Sequence, residues 1–219
     1  MLRTIKSFVT REGRMTPAQK NTLSGIALKY AVDCAPAQLN FSELFNNSNP
    51  LVLEIGFGTG DSLFAQAQEH PELNFFGIEV YRTGIAKLCA KVAAASLHNV
   101  RYACGDAVEL VKKIPDASLQ RIQIFFPDPW PKARHHKRRI IQPAFMHLLA
   151  TKLVSGGIVH LATDWLDYAD HMQNVLELEC KLIYTKATIL HPDFRPMTKF
   201  ESKGLAKGHV IYDLLYRLI

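Results

Sequence analysis

The chain has four cysteines, Cys34, Cys89, Cys104 and Cys180, and no C-x-x-C pair among them. That spacing argues against the usual zinc and dithiol motifs. Cys89 and Cys104 fall within apolar patterns, so buried, reduced thiols are expected, as in a cytoplasmic protein. No apolar run approaches the roughly 20 residues of a membrane helix. Residues 1–9 lack the apolar core and small-residue cleavage site of an export signal. Repeats and low-complexity tracts are missing too, which sets solenoids and linkers aside. Acids are scarce in two places. Residues 1–20 hold Arg3, Lys6, Arg11, Arg14 and Lys20 against Glu12 alone, and 132–139 hold Lys132, Arg134, Lys137, Arg138 and Arg139 with no acid. The net charge is +6, so these two runs concentrate the excess and point to an anionic partner.

At 219 residues the chain suits one structural domain with a substantial core. Thr16-Pro17-Ala18-Gln19 reads as a helix start, with Thr16 as cap, Pro17 in the first turn and Gln19 closing a capping box. Leu23, Ile26, Ala27 and Tyr30 continue a helical stripe. Residues 1–45 form a basic extension, expected to pack on or near the face that meets the anionic partner, and 46–219 carry the regular pattern. Strands are expected at 51–55, 74–78, 100–104, 122–126, 158–162, 182–187 and 210–218. Helical patterns fall at 61–70, around 85–92, at 107–114, from Pro143 to the Gly156-Gly157 pair, and from Trp165 through Met172. This alternation predicts a Rossmann-like, doubly wound α/β fold with a mostly parallel seven-stranded sheet. The last two strands have no helix between them, so they predict an antiparallel edge hairpin, with 190–208 as a long excursion.

The turn after the first strand reads Glu54-Ile55-Gly56-Phe57-Gly58-Thr59-Gly60. Gly56, Gly58 and Gly60 let the backbone approach a ligand. Their spacing departs from the G-x-G-x-x-G of dinucleotide sites. The preceding Glu54 would repel a pyrophosphate and favour a cationic sulfonium amino acid. Glu79 ends the second strand, where an acid can accept hydrogen bonds from ribose hydroxyls. Gly105-Asp106 follows the third strand, and Asp106 can meet an adenine amine or cap a helix. Asp128 lies between Pro127 and Pro129 at the end of the fourth strand, where the prolines restrict the backbone. His135-His136 lacks a suitably spaced acid or Cys, so no metal is expected. Asp167 and His171, four apart on a helix, read as a surface pair.

These residues carry a resemblance. The chain resembles the bacterial tRNA (guanine-N7-)-methyltransferases through Ser7 to Arg14, Glu54 to Gly58, Gly77 to Val80, Phe126 to Trp130, Thr163-Asp164-Trp165 and Arg195 to Glu201. The resemblance implies an S-adenosylmethionine site lined by Glu54, Glu79, Asp106 and Asp128, with Asp128 also catalytic. Lys132, Asp164, Thr198, Lys199, Phe200 and Glu201 would contact the tRNA substrate. Arg11, Arg14, Arg134, Lys137, Arg138 and Arg139 are candidates for its phosphate backbone. A guanine in the variable loop is the implied target. A small-molecule methyltransferase and a non-catalytic RNA-binding subunit are the competing readings, and both monomer and homodimer stay open.

Overall fold

The computed structural model describes residues 6–8, 14–181, 183–187, 196, 201–202, 205–206 and 208–219. Thr16 caps helix α1 (Pro17–Ser24) through a complete capping box with Gln19. A short helix α2 (Phe41–Phe45), too brief to show a periodic pattern, precedes β1 (Leu51–Ile55). Then follow α3 (Asp61–Glu69), β2 (Asn74–Glu79), α4 (Arg82–Ala94), β3 (Val100–Cys104), α5 (Ala107–Val111) and β4 (Leu119–Phe125). After a 3-10 turn, Ala133–Arg138, come α6 (Pro143–Lys152), β5 (Leu153–Thr163), α7 (Leu166–Asn174), β6 (Tyr184–Lys186) and β7 (Tyr212–Leu218).

The strands pair in one 7-stranded sheet of order β3-β2-β1-β4-β5-β7-β6. β3, β2, β1, β4 and β5 run parallel, and β7 is antiparallel to both β5 and β6. β1 and β2 are buried along their whole length, as central strands covered on both faces must be. Alternate residues enter opposite cores. Leu51, Leu53, Ile55, Phe76 and Ile78 join one apolar cluster, while Val52 and Phe75 join the other. The order reverses between β1 and β4, so a crevice opens beyond their carboxyl ends.

The N-terminal extension is part of this sheet's edge. Val32 donates to the Tyr102 carbonyl at 2.8 Å and Tyr102 donates to the Tyr30 carbonyl at 2.9 Å, covering the free side of β3. Its helical stripe breaks at Gly25, however, and Ile26 is exposed while Ala27 and Tyr30 are buried. The Gly156-Gly157 pair does not end a helix. α6 stops at Lys152, and the pairing of β4 with β5 slips there, with Leu119 opposite Leu153 and Arg121 opposite Ile158. The surplus residues of β5 bulge out, and Gly156 takes a φ of 72° that suits glycine. Cys104 is exposed at its strand end and Cys34 is half-buried, whereas Cys89 and Cys180 are buried. No helix among the described residues is long and apolar enough to cross a membrane.

Candidate active site

The glycine turn between β1 and α3 is built from left-handed residues. Gly56, Gly58 and Gly60 have φ of 74°, 57° and 70°. Side chains rarely adopt these values, so the spacing of glycines is the spacing of the turn itself. Gly56 N–H donates to the Ile78 carbonyl at 2.8 Å, and Gly58 N–H donates to Glu79 Oε2 at 2.6 Å. Glu79 Oε1 accepts from Val80 N–H and Tyr81 N–H at 2.6 and 2.9 Å. One carboxylate thus ties the glycine turn to the end of β2. Gly84, in α4, lets that helix butt against the turn: a Cβ there would lie 1.8 Å from the Gly58 carbonyl oxygen. Gly77 in β2 makes room for the Phe57 ring, which a Cβ would meet at 2.6 Å.

The turn, the ends of β1 and β2 and the loop after β4 enclose a cavity of about 530 Å³. Glu54, Gly56, Gly58, Glu79 and Asp128 all line it. Glu54 is 3% exposed, and its Oε2 has no hydrogen-bond partner among the described residues. Burial first, and then the charge of Glu79, push its pKa up to about 8, against a hydrogen bond from Ser62. Behind Ser62 stand two buried amides, with Gln66 Nε2 donating to Ser62 Oγ at 3.0 Å and to Gln123 Oε1 at 3.0 Å.

Two expected lining residues sit elsewhere. Gly60 caps α3, and a Cβ on it would strike Leu88 at 2.7 Å, so its freedom serves packing. The Asp106 carboxylate caps α5, accepting from Val108 N–H at 3.0 Å, between Gly105 and Ala107, which do line the cavity. Ser7, Phe8, Phe57, Ser62 and Tyr81 are lining residues the sequence reading passed over. A signal existed for one neighbour only: a glycine inside a helix, as at Gly84, marks a close backbone approach.

The Asp128 loop is held in an uncommon shape. Phe126 and Trp130, one on each side of Pro127-Asp128-Pro129, have φ of 50° and 46°. Left-handed backbone at residues of this size costs about 1–2 kcal/mol each and needs support from its surroundings. Phe126 N–H donates to the Ala162 carbonyl at 2.7 Å. Trp130 Nε1–H donates to the Ser7 carbonyl at 3.2 Å, His135 meets its ring edge-on, and the Arg138 guanidinium lies 4.9 Å over its face. Asp128 itself is exposed at the cavity mouth.

The basic run divides by direction. Lys132, Arg134 and Lys137 are exposed, as is Arg14, and Arg138 is half-buried against Trp130. Arg139 is 2% exposed and turned inward. It pairs with Asp167 and donates through Nε to the Pro129 carbonyl at 3.0 Å. A phosphate cannot reach it, so its place among the backbone contacts is corrected. Asp167 pairs with Arg139, and His171 Nε2 lies 2.8 Å from the Ile141 carbonyl oxygen, so the two residues four apart reach different partners. The hydrogen bond from Arg139 leads in lowering the Asp167 pKa, and the charge of His171 still helps. Burial, ahead of the charges of Arg134, Arg138, Lys132 and Lys137, lowers the pKa of His135. Asp164 Oδ2 lies 3.1 Å from His209 Nδ1, and Glu201 is half-buried. Arg11, Thr198, Lys199 and Phe200 lie outside the described residues. The described residues contain no group of three or more His, Cys, Asp or Glu suited to a metal.

A sheet of this order, an acid before a glycine turn and a second acid ending β2 define a class I methyltransferase. Residues 48–214 match the family model Methyltransf_4, described as "Putative methyltransferase". A tRNA (guanine-N(7)-)-methyltransferase of Halorhodospira halophila is 48% identical over 221 residues, covering 99% of this chain and 96% of that one. The protein of the same name from Nitrosococcus oceani is 48% identical over 217 residues, covering 98% of this chain and 91% of its own. Among solved structures, the 16S rRNA methyltransferase KamB superposes with a TM-score of 0.59 at 16% identity, over 81% of this chain and 92% of that one, and shares the fold. The chain belongs to the bacterial tRNA (guanine-N7-)-methyltransferase family.

Membership implies S-adenosylmethionine as the methyl donor, and the cavity suits it. A buried carboxyl oxygen without a donor, beside a second carboxylate, calls for a cationic ligand.

Proposed function

We propose that this protein transfers a methyl group from S-adenosylmethionine to N7 of a guanine in tRNA, in the variable loop. The observation that carries the reading is the position of Asp128. It stands at the mouth of a cavity whose deep wall holds Glu54 and Glu79, on a loop that runs straight into exposed Lys132, Arg134 and Lys137. The relatives' name supplies the reaction, and this arrangement supplies places for both substrates.

In that reading Glu54 and Glu79 hold the donor, with Asp106 and the loop at Gly105 near its adenine. S-adenosylmethionine brings a methyl already activated by the sulfonium charge. Guanine N7 carries a lone pair and no proton, so no general base is required, and catalysis is positioning for in-line attack. Asp128 accepts hydrogen bonds from the guanine N1–H and N2–H₂ edge and offsets the positive charge that forms on the methylated ring. Adenine presents the wrong donors to a carboxylate there, which gives base selectivity. Lys132, Asp164 and the segment from Thr198 to Glu201 hold the nucleotide, and Arg11, Arg14, Arg134, Lys137 and Arg138 serve the backbone. The base must leave its stack to enter, at a cost of a few kcal/mol. Trp130 is packed by Ser7, His135 and Arg138, so in this reading it shapes the loop.

The test is to incubate the protein with labelled S-adenosylmethionine and unmodified tRNA transcripts, then map the methyl by reduction and aniline cleavage. Cleavage at one variable-loop guanine is expected, and Asp128→Asn should lower kcat while tRNA affinity stays near wild type. Wild-type kcat in that variant would remove Asp128 from the chemistry. Donor binding without transfer to any tRNA would move the reading to another acceptor.

A further inference from the structure

Arg139 is the odd member of its cationic run. Lys132, Arg134 and Lys137 face solvent, while the Arg139 side chain is enclosed. A buried guanidinium is retained only where its charge and donors are met. Here the Asp167 carboxylate from α7 meets the terminal nitrogen, the Tyr168 ring lies 4.8 Å from the guanidinium, and Nε donates to the Pro129 carbonyl at 3.0 Å. That last contact falls on the residue directly after Asp128. Pro127 and Pro129 have no N–H to donate, so the loop backbone on either side of Asp128 offers fewer hydrogen bonds of its own. Its two flanking residues also occupy left-handed backbone, a shape that persists only when the surroundings over-determine it. Asp167 in turn belongs to the helix that begins just past Asp164, so the clamp links the two loops at the carboxyl ends of β4 and β5.

We propose that Arg139, braced by Asp167, is a positioning residue that fixes the Asp128 carboxylate for the transfer step and takes no part in binding tRNA phosphates. The inference rests on the reading of Asp128 as the residue that meets guanine.

Arg139→Lys keeps the charge and loses the planar fork that reaches two partners at once. Asp167→Asn tests the same clamp from a side chain that is 58% exposed, and the melt reports what losing that charge beside buried Arg139 does to folding. Steady-state kcat and KM for tRNA, the Kd for S-adenosylmethionine and a thermal melt are measured for each. A fall in kcat of about 10-fold or more is expected for Arg139→Lys, since small misplacements of a catalytic group are costly. A smaller fall is expected for Asp167→Asn, with donor Kd and tRNA KM near wild type in both. If Arg139→Lys does not fold, the Asp167→Asn result alone decides.

The double variant Asp128→Asn/Arg139→Lys separates the two readings. Arg139→Lys should cost nothing further once Asp128 is gone, because groups that act as a unit are non-additive. Unchanged kcat in folded Arg139→Lys, a fully additive double variant, or a raised tRNA KM with kcat kept would each overturn the proposal. If Asp128→Asn alone keeps wild-type kcat, it is the reading of Asp128 that has failed, and Arg139 cannot act through it.

Discussion

Glu54 combines three things a carboxyl seldom has together: full burial, a carboxylate neighbour and an oxygen without a donor. Its pKa near 8 lies above the ordinary 4.5, so folding favours the protonated form. The sign follows directly. The stability this group contributes is complete below pH 4.5 and is lost as pH rises towards 8. The loss runs at about 1.4 kcal/mol per pH unit inside that window. Glu54→Gln removes the titration, so its melting temperature should exceed wild type at about pH 8.5, with the lead shrinking towards pH 5. Parallel melting curves across that range would place the charge burden on another residue. Ligand binding runs the other way. A cationic donor favours ionised Glu54, so wild-type affinity for S-adenosylmethionine should rise with pH relative to the Gln variant, which should bind weakly throughout. The donor's own amine titrates as well, and the difference between the two proteins cancels it. Calorimetry in buffers of different ionisation enthalpy should also register more proton release on binding to wild type than to the Gln variant.

The elements around the site are set by backbone contact more than by side chains. α4 approaches the glycine turn so closely that Gly84→Ala would force its methyl into the Gly58 carbonyl. Backbone must move to admit it, at a cost of about 1–3 kcal/mol. Because the moving part is the turn proposed to hold the donor, the Kd for S-adenosylmethionine should rise at least 10-fold, about 1.4 kcal/mol. Gly56→Ala differs, because its Cβ meets no protein atom within 4 Å and its φ of 74° adds backbone strain of about 1 kcal/mol without touching α4. A thermal melt should therefore show a larger loss for Gly84→Ala than for Gly56→Ala, and equal losses would mean that close packing of α4 is not what shapes the turn. This level also marks how far the sequence could be read. β1 and β3 are legible to the residue because each is a short apolar run, β1 closed by a glycine turn and β3 by Gly105. The acids at the ends of β1, β2 and β4 were legible for the same reason. Gly156-Gly157 was not, since a helix cap and a bulge use the same residue, and only the register of β5 against β4 tells them apart. Arg139 was hidden by its cationic neighbours, and its partner Asp167 lies on another helix. Asp106 had two readings from the start, and the cap is the one its geometry shows. Cys104 looked internal because its strand is apolar, yet the last residue of a strand at the crevice is open.

For the whole molecule the question is where a long polyanion would lie. The net charge is +6, and exposed Lys132, Arg134 and Lys137 follow Asp128 closely in the chain, so the loop at the cavity mouth runs on into positive charge. Phosphate neutralisation releases counterions, so tRNA affinity should fall steeply between about 50 and 200 mM salt. Each cation that meets a phosphate adds about 0.7–0.9 to the log–log slope. Arg134→Ala and Lys137→Ala should therefore each flatten the slope by roughly that amount and leave the kcat of saturated enzyme intact. Arg139→Lys should leave the slope unchanged, because a cation that is 2% exposed has no counterion to release. Fluorescence anisotropy of labelled tRNA over a salt series gives all three slopes from one experiment. Flattening by Arg139→Lys would return Arg139 to the phosphate contacts, and none by Arg134→Ala and Lys137→Ala together would move the RNA track off this loop. In the proposed reading the same cations would set the orientation of approach. A tRNA held by Lys132, Arg134 and Lys137 has its backbone anchored next to Asp128, so the base that reaches the cavity is chosen by distance from those phosphates as well as by its edge. One loop would then decide both which nucleotide arrives and which atom of it faces the methyl.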